Sequence, residues 1–295
     1  MTNKCAQKPA FACFRGPKAQ KRAKRFLISF CRYLLIVCLS YLILAPILRN
    51  LSIAFTNPRD LNFPSSMWIP ARLSVENWHV SYLMLNYGKS LPYTLLTTTI
   101  VTLLQTLSAL LAGYSFARLK FPGREVVFSA LLSMMMLPFE MLVITNYTTI
   151  IRLNLNDSLP ALIIPFISSI FYTYIMRNFF ASIPDSLYWS ARVDGCSNWR
   201  YLWKVMVPIG RPSLVTVVLL NALASWNSFM WPLLVIKTTK NRTLPFGLYA
   251  FTTEAGSQQE LIMAASTVVV LPMILLFLFA RKQILRGVAR GGIKG

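Results

Sequence analysis

The chain has 295 residues, of which 55% are hydrophobic and only 13% are charged, and its formal net charge is +21. A soluble domain of ordinary composition carries about 25% charged residues, so this chain is too apolar for a surface that faces water throughout. The positive charge does not indicate nucleic-acid binding, because the basic residues lie in short segments between apolar runs and not in one cluster.

Six apolar runs are long enough, at about 20 residues, to cross a lipid bilayer as helices. They are residues 26–48, 91–117, 126–146, 158–180, 213–236 and 262–280. Inside a bilayer the backbone must satisfy its own hydrogen bonds, so each run is expected to be helical. The sequence therefore predicts an all-α, polytopic membrane protein, with a basic tail over residues 1–25 and a transmembrane domain over residues 26–295.

Lys and Arg residues are concentrated on one side of these spans. They are frequent in the N-terminal tail, in the turn after the second span, in residues 181–212 and at the C-terminal end. Cytoplasmic loops carry such an excess, so both termini and the segment 181–212 are predicted to be cytoplasmic. The five cysteines fall on that side or in the first span, so no disulfides are expected.

Side chains for several kinds of enzyme chemistry are missing. His79 is the only histidine, so neither a histidine metal cluster nor a catalytic triad can be built within one chain. "NYGKS" at 86–90 resembles the end of a phosphate-binding loop, but Leu83 stands where its first glycine would be. We therefore expect no enzymatic activity, cofactor or metal, and an energy source in a partner or an ion gradient.

Glu140 is the one acidic residue well inside a predicted span, in "MMMLPFEMLVI". A carboxylate in the membrane interior usually faces a cavity or a partner. It either lines a polar pathway, which includes the option of proton coupling, or is a structural group near Pro138. A self-sufficient proton-coupled transporter that uses Glu140 is therefore the alternative function.

The segment 181–212 contains "SLYWSARVDGCSNWRYLWKVMVPIGRP" and separates two apolar runs. Asp185 is a suitable first residue for a helix, and Gly195 can end that helix in a left-handed conformation. A second amphipathic helix is predicted to follow and to stop at Pro208 and Pro212. On composition alone, an amphipathic helix lying in the membrane interface is equally possible.

Four sequence blocks resemble the permease subunits of bacterial ABC importers, in the carbohydrate-uptake branch that includes the maltose and glycerol-phosphate permeases. The first is similar to the "EAA" loop of these permeases. The blocks are Ala191, Asp194, Gly195, Pro208 and Pro212 in that loop, "AGYSFARLKFPGR" at 112–124, "ASWNSFMWPLLV" at 224–235 and "RGVARGGIKG" at 286–295.

The resemblance implies a type I ABC importer permease fold in the bacterial cytoplasmic membrane. It also implies a heterodimer with a second permease, two copies of a cytoplasmic ABC ATPase, and an extracellular or periplasmic sugar-binding protein. ATP would be hydrolysed in the separate ATPase chain. The transported solute would be an oligosaccharide, a sugar alcohol or a glycerol-phosphate-type compound.

The same resemblance assigns residues 181–212 as a coupling loop that docks on the ATPase. The contact residues it implies are Leu187, Trp189, Ala191, Arg192, Asp194 and Gly195. Trp189 is a departure, since the family usually has glutamate there. Gly292 and Lys294 are predicted to reach the ATPase as well, with a basic tail held by anionic lipid as the alternative.

Polar and aromatic residues of the fifth span suit a sugar, because hydroxyls need hydrogen bonds and indole rings stack on sugar C–H faces. Helix–helix packing through Asn and Ser explains the same residues equally well. The predicted translocation path consists of Glu140, Asn221, Trp226, Asn227 and Trp231.

Overall fold

The computed structural model describes residues 17–60, 68–70, 72–254 and 258–291. Over these ranges the chain is α-helical and has no β-strand, as the sequence predicted. The helices are α1 (Pro17–Ala54), α2 (Glu76–Met84), α3 (Tyr87–Arg118), α4 (Arg124–Met134), α5 (Phe139–Arg152), α6 (Leu159–Ile163), α7 (Ile170–Ala181), α8 (Asp185–Val193), α9 (Asn198–Tyr201), α10 (Val207–Trp226), α11 (Met230–Val235), α12 (Leu244–Glu254) and α13 (Gln259–Gly291).

Four helical stretches are long and apolar enough to cross a membrane by themselves. They are Phe26–Ala54, Tyr87–Arg118, Asn198–Trp226 and Gln259–Phe279. Two bent pairs, α4 with α5 and α6 with α7, are each apolar enough to form one broken span, which gives up to six in the described residues. The predicted number of spans agrees with this upper count.

The third and fourth predicted spans, 126–146 and 158–180, are not continuous helices. α4 and α5 meet at 96°, and the helices of Leu159–Phe166 and Ile170–Ala181 meet at 45°. Pro138 precedes α5 in an extended conformation, and a proline disfavours helical geometry in the residue before it. At the second break Ser169 is extended, and its hydroxyl accepts a hydrogen bond from the Tyr172 N–H to start a new helix.

The helix that contains most of the fifth predicted span, 213–236, has different bounds from that span. The helix already begins at Asn198, runs past Pro208 and Pro212, and ends at Trp226. A π-helical turn over Leu202–Met206 precedes Pro208 and widens the helix where the proline ring would otherwise crowd a carbonyl. At the end of the helix the side-chain amide of Asn227 donates to the Leu223 carbonyl at 2.9 Å, and the short α11 follows.

The close approach of α3 to α7 builds the largest buried cluster. Gly113 makes it possible, since a Cβ atom there would lie 2.7 Å from the Cβ of Met176 and 3.0 Å from the backbone nitrogen of Arg177. Tyr114 and Phe180 pack edge to face beside this contact. The buried cluster contains Ala109, Leu110, Tyr114, Tyr172, Met176, Phe180, Ile183, Tyr201, Leu202, Met206 and Val217.

Gly113→Ala is expected to destabilise the protein, because the added methyl group collides with backbone that cannot move freely. Overpacking of this kind costs about 1–3 kcal/mol. Gly88→Ala is the matched control on the same helix, since a Cβ there meets only Tyr82 Oη at an ordinary 3.8 Å. Thermal unfolding in detergent should show a lower midpoint for Gly113→Ala alone; equal midpoints would contradict the packing described here.

Candidate functional site

A cavity of about 270 Å³ lies between α3, the break that precedes α7, and the break between α10 and α11. Its wall combines hydroxyl and amide groups with aromatic rings. The lining residues are Thr94, Thr97, Thr98, Val101, Gln105, Leu162, Phe166, Ser169, Phe171, Tyr172, Asn221, Ala224, Ser225, Ser228, Trp231, Pro232 and Thr243. The cavity thus lies where two helices are interrupted, inside the apolar part of the chain.

Three side chains of this wall have buried polar atoms without a hydrogen-bond partner among the described residues. They are the Nδ2 of Asn221 and the Oγ1 atoms of Thr98 and Thr243. The residues are 1%, 7% and 4% exposed, respectively. A buried polar group that is left unsatisfied costs about 1–3 kcal/mol, and these three atoms themselves have almost no accessible surface.

The break before α7 is supported from α3. Ser108 donates to the Ile167 carbonyl at 2.9 Å, and the Gln105 amide donates to the Ser168 carbonyl at 3.4 Å. Non-helical backbone at membrane depth is tolerated where it is buried in protein or lines a cavity. The two polar side chains of α3 therefore stabilise the interruption that opens the wall.

Trp231 forms a fixed aromatic part of the wall. Its indole N–H donates to the Ala161 carbonyl at 2.9 Å. The rings of Phe139 and Phe166 meet it edge on, with centroid distances of 6.2 and 6.1 Å. Both polar and apolar contacts thus hold the indole in one orientation.

Only part of the predicted translocation path reaches this cavity. Asn221 and Trp231 line it, whereas Glu140, Trp226 and Asn227 do not. Trp226 is buried against α13, where its indole N–H donates to the Val269 carbonyl at 3.2 Å. Asn227 and Glu140 are exposed, the latter in the first turn of α5 just after the sharp bend.

Sequence reasoning missed the contribution of α3 to the cavity. Thr94, Thr97, Thr98 and Gln105 all line it. The signal was present in "TLLTTTIVTLLQT", where hydroxyl and amide residues recur on one side of a long apolar helix. Thr243 gave no such signal, because its position depends on how the loop before α12 folds back on α3. The Leu244 N–H, next to Thr243, donates to Thr94 Oγ1 at 2.9 Å.

The segment 181–212 is anchored by Arg118, the last residue of α3. Its side chain is only 6% exposed, and it forms an ion pair with Asp185 at the start of α8. The same guanidinium donates to the carbonyls of Phe180, at 2.8 Å, and Ile183. One rigid planar group therefore ties the ends of α3, α7 and α8 together.

Two tyrosines, from α3 and α8, hold the start of α9. Tyr114 and Tyr188 donate to the backbone carbonyl and the side-chain oxygen of Asn198, at 3.2 and 3.1 Å. Gly195 has φ +71, the left-handed conformation that the sequence predicted. The Cys196 N–H bonds to the Ala191 carbonyl at 2.9 Å across this turn, as in a glycine-capped helix end.

The predicted coupling residues fall on different sides of α8. Leu187, Trp189, Arg192, Asp194 and Gly195 are exposed. Ala191 is half-buried and packs against the core below the helix. Two large apolar side chains lie among polar ones on the exposed side, since Trp189 is 59% exposed and Val193 is 87% exposed. Gly292 and Lys294 lie outside the described residues.

An aspartate holds two loops together near α11. The Asp157 carboxylate accepts hydrogen bonds from the backbone N–H groups of Lys237 and Thr238 at 3.1 and 3.2 Å, and from the Thr238 hydroxyl at 3.1 Å. Desolvation acts to raise the pKa of Asp157, but these hydrogen bonds outweigh it and lower the pKa below its ordinary value. The ionised form is thus the one that the fold favours.

Asp157→Asn is expected to destabilise the protein at neutral pH, because the amide loses the charge that strengthens these hydrogen bonds. Asn tolerates the positive φ of 57 at this position, so the change isolates the charge. A carboxylate whose pKa is lowered in the folded state stabilises the fold at any pH above its unfolded pKa of about 4. This stabilisation is lost as the pH falls through the lowered pKa. Unfolding midpoints of the two proteins should therefore differ at pH 5 to 8 and converge in stronger acid; a constant difference would show that the charge is not the cause.

Comparison with known proteins identifies the family. A profile of the family described as "binding-protein-dependent transport system inner membrane component" matches residues 98–290. The chain belongs to this family. The matched range includes most of the cavity wall, the Arg118 anchor and all of α8, so this inner-membrane component carries both features described above.

Named relatives of this inner-membrane component include two sugar permeases. It is 34% identical over 200 residues to the arabinooligosaccharides transport system permease protein AraQ of Bacillus subtilis (strain 168), covering 68% of this chain and 70% of AraQ. It is 26% identical over 252 residues to the diacetylchitobiose uptake system permease protein DasC of Streptomyces coelicolor (strain ATCC BAA-471 / A3(2) / M145), covering 85% and 91%.

Solved structures share the fold. One of them is that of a bacterial ABC transporter involved in the import of the acidic polysaccharide alginate, with a TM-score of 0.71 and 20% sequence identity. The match covers 91% of this chain and 98% of the other. The overall helix arrangement is therefore that of an ABC importer chain.

Proposed function

We propose that this chain is the sugar-conducting permease subunit of an ATP-driven importer. It pairs with a second permease, receives its solute from an extracellular binding protein, and is driven by two copies of a cytoplasmic ATPase. The chain itself has no catalytic role. The main support is that a single helix, α3, carries both the polar cavity and the anchor of the exposed α8.

α3 is suited to transmit movement between these two features. Thr98 in the cavity wall and Arg118 at the anchor are 20 residues apart, or about 30 Å along a continuous helix. The π-helical turn and α10 provide a second connection, because they join the segment after Gly195 to Asn221 without a loop. Displacement of α8 by a partner would therefore move two walls of the cavity.

Residues 181–212 then form the cytoplasmic coupling loop, and both chain ends lie on the same side of the membrane. The surplus of Lys and Arg in the coupling loop and at both chain ends supports this orientation. The exposed surface of α8 around Trp189 and Val193 is the surface that we assign to the ATPase. Arg192 and Asp194 flank it and supply charge at its rim.

Membership of a binding-protein-dependent family favours ATP over a proton gradient as the energy source. Glu140 does not line the cavity, which leaves no described carboxylate beside the proposed solute path. We therefore infer that transport is coupled to the ATPase and does not depend on titration of Glu140.

Reconstitution tests this function directly. Liposomes that contain the whole complex, with ATP inside and the binding protein outside, should accumulate labelled arabinooligosaccharides. Omission of the ATPase should abolish uptake, and a proton ionophore should leave it unchanged. Uptake that survives without the ATPase and is stopped by the ionophore would contradict the proposal and favour the proton-coupled alternative.

Gly195→Pro is expected to reduce ATP-driven uptake almost to background. Proline cannot adopt a positive φ, and it removes the N–H that bonds to the Arg192 carbonyl at 3.1 Å. Gly123→Pro is the matched control, because Gly123 also has a positive φ, of 77, but lies in the turn before α4. Comparable losses in both variants, at equal assembly of the complex, would show that the α8 turn has no special role.

Arg118→Lys is expected to uncouple the complex, because an ammonium group cannot reproduce the planar fork that joins Asp185 to two carbonyls. Loss of a buried hydrogen bond of this kind costs about 1–3 kcal/mol. ATP hydrolysis should continue, but its stimulation by the loaded binding protein should fall. Arg124→Lys provides the comparison, since Arg124 pairs only with the adjacent Glu125 and the Leu119 carbonyl; equal stimulation in both variants would argue against the anchor.

A further inference from the structure

We propose that the exposed side of residues 198–204 binds the headgroups of anionic phospholipids in the cytoplasmic leaflet of the membrane. The contacting side chains are Trp199, Arg200, Trp203 and Lys204, which together form the interfacial patch. The inference rests on the orientation given in the proposed function and goes beyond it, because it assigns a lipid partner to the segment that follows α8.

The length of the helix places the interfacial patch at the depth of the headgroups. Asn198–Trp226 is a candidate span of 29 residues, and at 1.5 Å per residue it is about 43 Å long. The hydrocarbon core is only about 30 Å thick, so about nine residues extend beyond it. The part from Val207 to Trp226 is apolar except for Arg211 and a few uncharged polar residues. The excess length therefore falls at the Asn198 end, next to α8.

The opposite side of this segment is packed into the protein. Tyr201, Leu202 and Met206 are at most 1% exposed and belong to the large buried cluster. A helix that is held by such a core on one side cannot rotate about its own axis. The side chains of the interfacial patch therefore stay on the outer surface of the chain.

Two tryptophans form the apolar part of the interfacial patch. Trp199 is 62% exposed and Trp203 is 39% exposed. They are four residues apart, and their rings meet edge to face with centroids 5.7 Å apart. Indole rings are enriched at membrane–water interfaces, because an amphipathic ring fits the level of the headgroups. Two adjacent exposed indoles at this depth therefore suit the headgroup region better than open water.

The charge of the interfacial patch favours anionic lipid. Arg200 and Lys204 are exposed, and neither forms an ion pair within the part of the chain that the structure describes. The sequence has no acidic residue between Asp194 and Glu254, so this segment does not balance its own positive charge. Guanidinium and ammonium groups both bind phosphate, and the cytoplasmic leaflet carries a negative surface potential. The patch and that leaflet are thus complementary in charge.

A protein partner is the competing occupant of the interfacial patch. Trp189 and Val193, which we assign to the ATPase, precede the turn at Gly195, whereas the patch follows that turn. The patch belongs to the helix that enters the bilayer, so it lies closer to the membrane along the chain than α8 does. Its depth therefore favours lipid over a subunit that approaches from the cytoplasm.

Changes at exposed positions separate the two parts of the interfacial patch. Arg200→Gln combined with Lys204→Gln removes the charge and keeps long polar side chains. Trp199→Phe combined with Trp203→Phe removes the indole fluorescence and keeps aromatic rings. Lys120→Gln is the control, because Lys120 is an exposed lysine on the same predicted side of the membrane. None of these side chains belongs to the buried core, so the variants should fold.

The experiment uses the whole complex in phosphatidylcholine nanodiscs with a titrated fraction of a brominated lipid, which quenches nearby indoles. This lipid is either phosphatidylglycerol, which is anionic, or phosphatidylcholine, which is zwitterionic. The fluorescence of the patch is the difference between the wild type and the variant with Trp199→Phe and Trp203→Phe. We expect phosphatidylglycerol to quench it at the lower lipid fraction. This preference should fall roughly fivefold for each cation removed and should persist in Lys120→Gln.

Three results would overturn the inference. Equal quenching by both lipids would show that the tryptophans do not select charge. A preference that survives the loss of Arg200 and Lys204, or falls equally in Lys120→Gln, would place the anionic lipid elsewhere. Absence of quenching by either lipid would show that a protein subunit covers the patch.

The proposed function is tested separately on the same wild-type complex. ATP-driven uptake of arabinooligosaccharides is measured in liposomes, and its absence would reject that function. The three overturning results are all compatible with normal uptake, so they would reject the lipid site alone.

Discussion

Inside a bilayer no bulk water is available to meet backbone N–H and C=O groups, so a spanning chain can leave helical geometry only where other protein groups replace its lost hydrogen bonds. The break before α7 follows this constraint. The exposed carbonyls of Ile167 and Ser168 are met by Ser108 and Gln105, both on α3. α3 satisfies the backbone carbonyls of the break that borders the cavity, and it also lines the cavity itself. Changes on α3 therefore affect two walls of the cavity, α3 and the break before α7.

The same helix ends at Arg118, where one guanidinium joins α3 to the end of α7 and the start of α8. Gly113 brings α3 and α7 so close that their backbones are in contact over the intervening turn. α3 and α7 thus form a closely packed pair, with the interruption before α7 at one end and the Arg118 anchor at the other. In the proposed function, rigidity between the two points would carry a displacement of α8 to the cavity.

The features that could be predicted from sequence were those that depend on local chemistry. Apolar run length indicated the spans, and a glycine before a polar stretch indicated the left-handed turn at Gly195. Pro138 marked a break in the third span, but the bend at Ser169 was missed, because a broken span has the same hydropathy as a straight one. Pro208 was read as a stop, but the π-helical turn that accommodates it has no recognised sequence signature.

In the cavity wall, too, some residues could be predicted from local sequence and others depend on long-range packing. Asn221 and Trp231 stood out as polar and aromatic residues within an apolar helix, so they could be selected from the sequence. Trp226 has an equally suggestive neighbourhood, but it faces α13, and only the direction of packing separates it from Trp231. Thr243 lies in a loop, and its place in the wall depends on a long-range contact with α3 that no local pattern encodes.

The exposed side of α8 also bears on how the chain survives before assembly. Trp189 and Val193 present apolar side chains outward from a helix that is held rigidly and cannot turn them inward. In a newly inserted subunit without a partner these two apolar side chains stay exposed, and exposed apolar side chains favour binding to the headgroup region of the membrane or to other unassembled chains. In the proposed complex the ATPase covers α8, so the cellular abundance of this subunit would follow the supply of that partner, and overproduction of the chain alone should favour its aggregation and degradation.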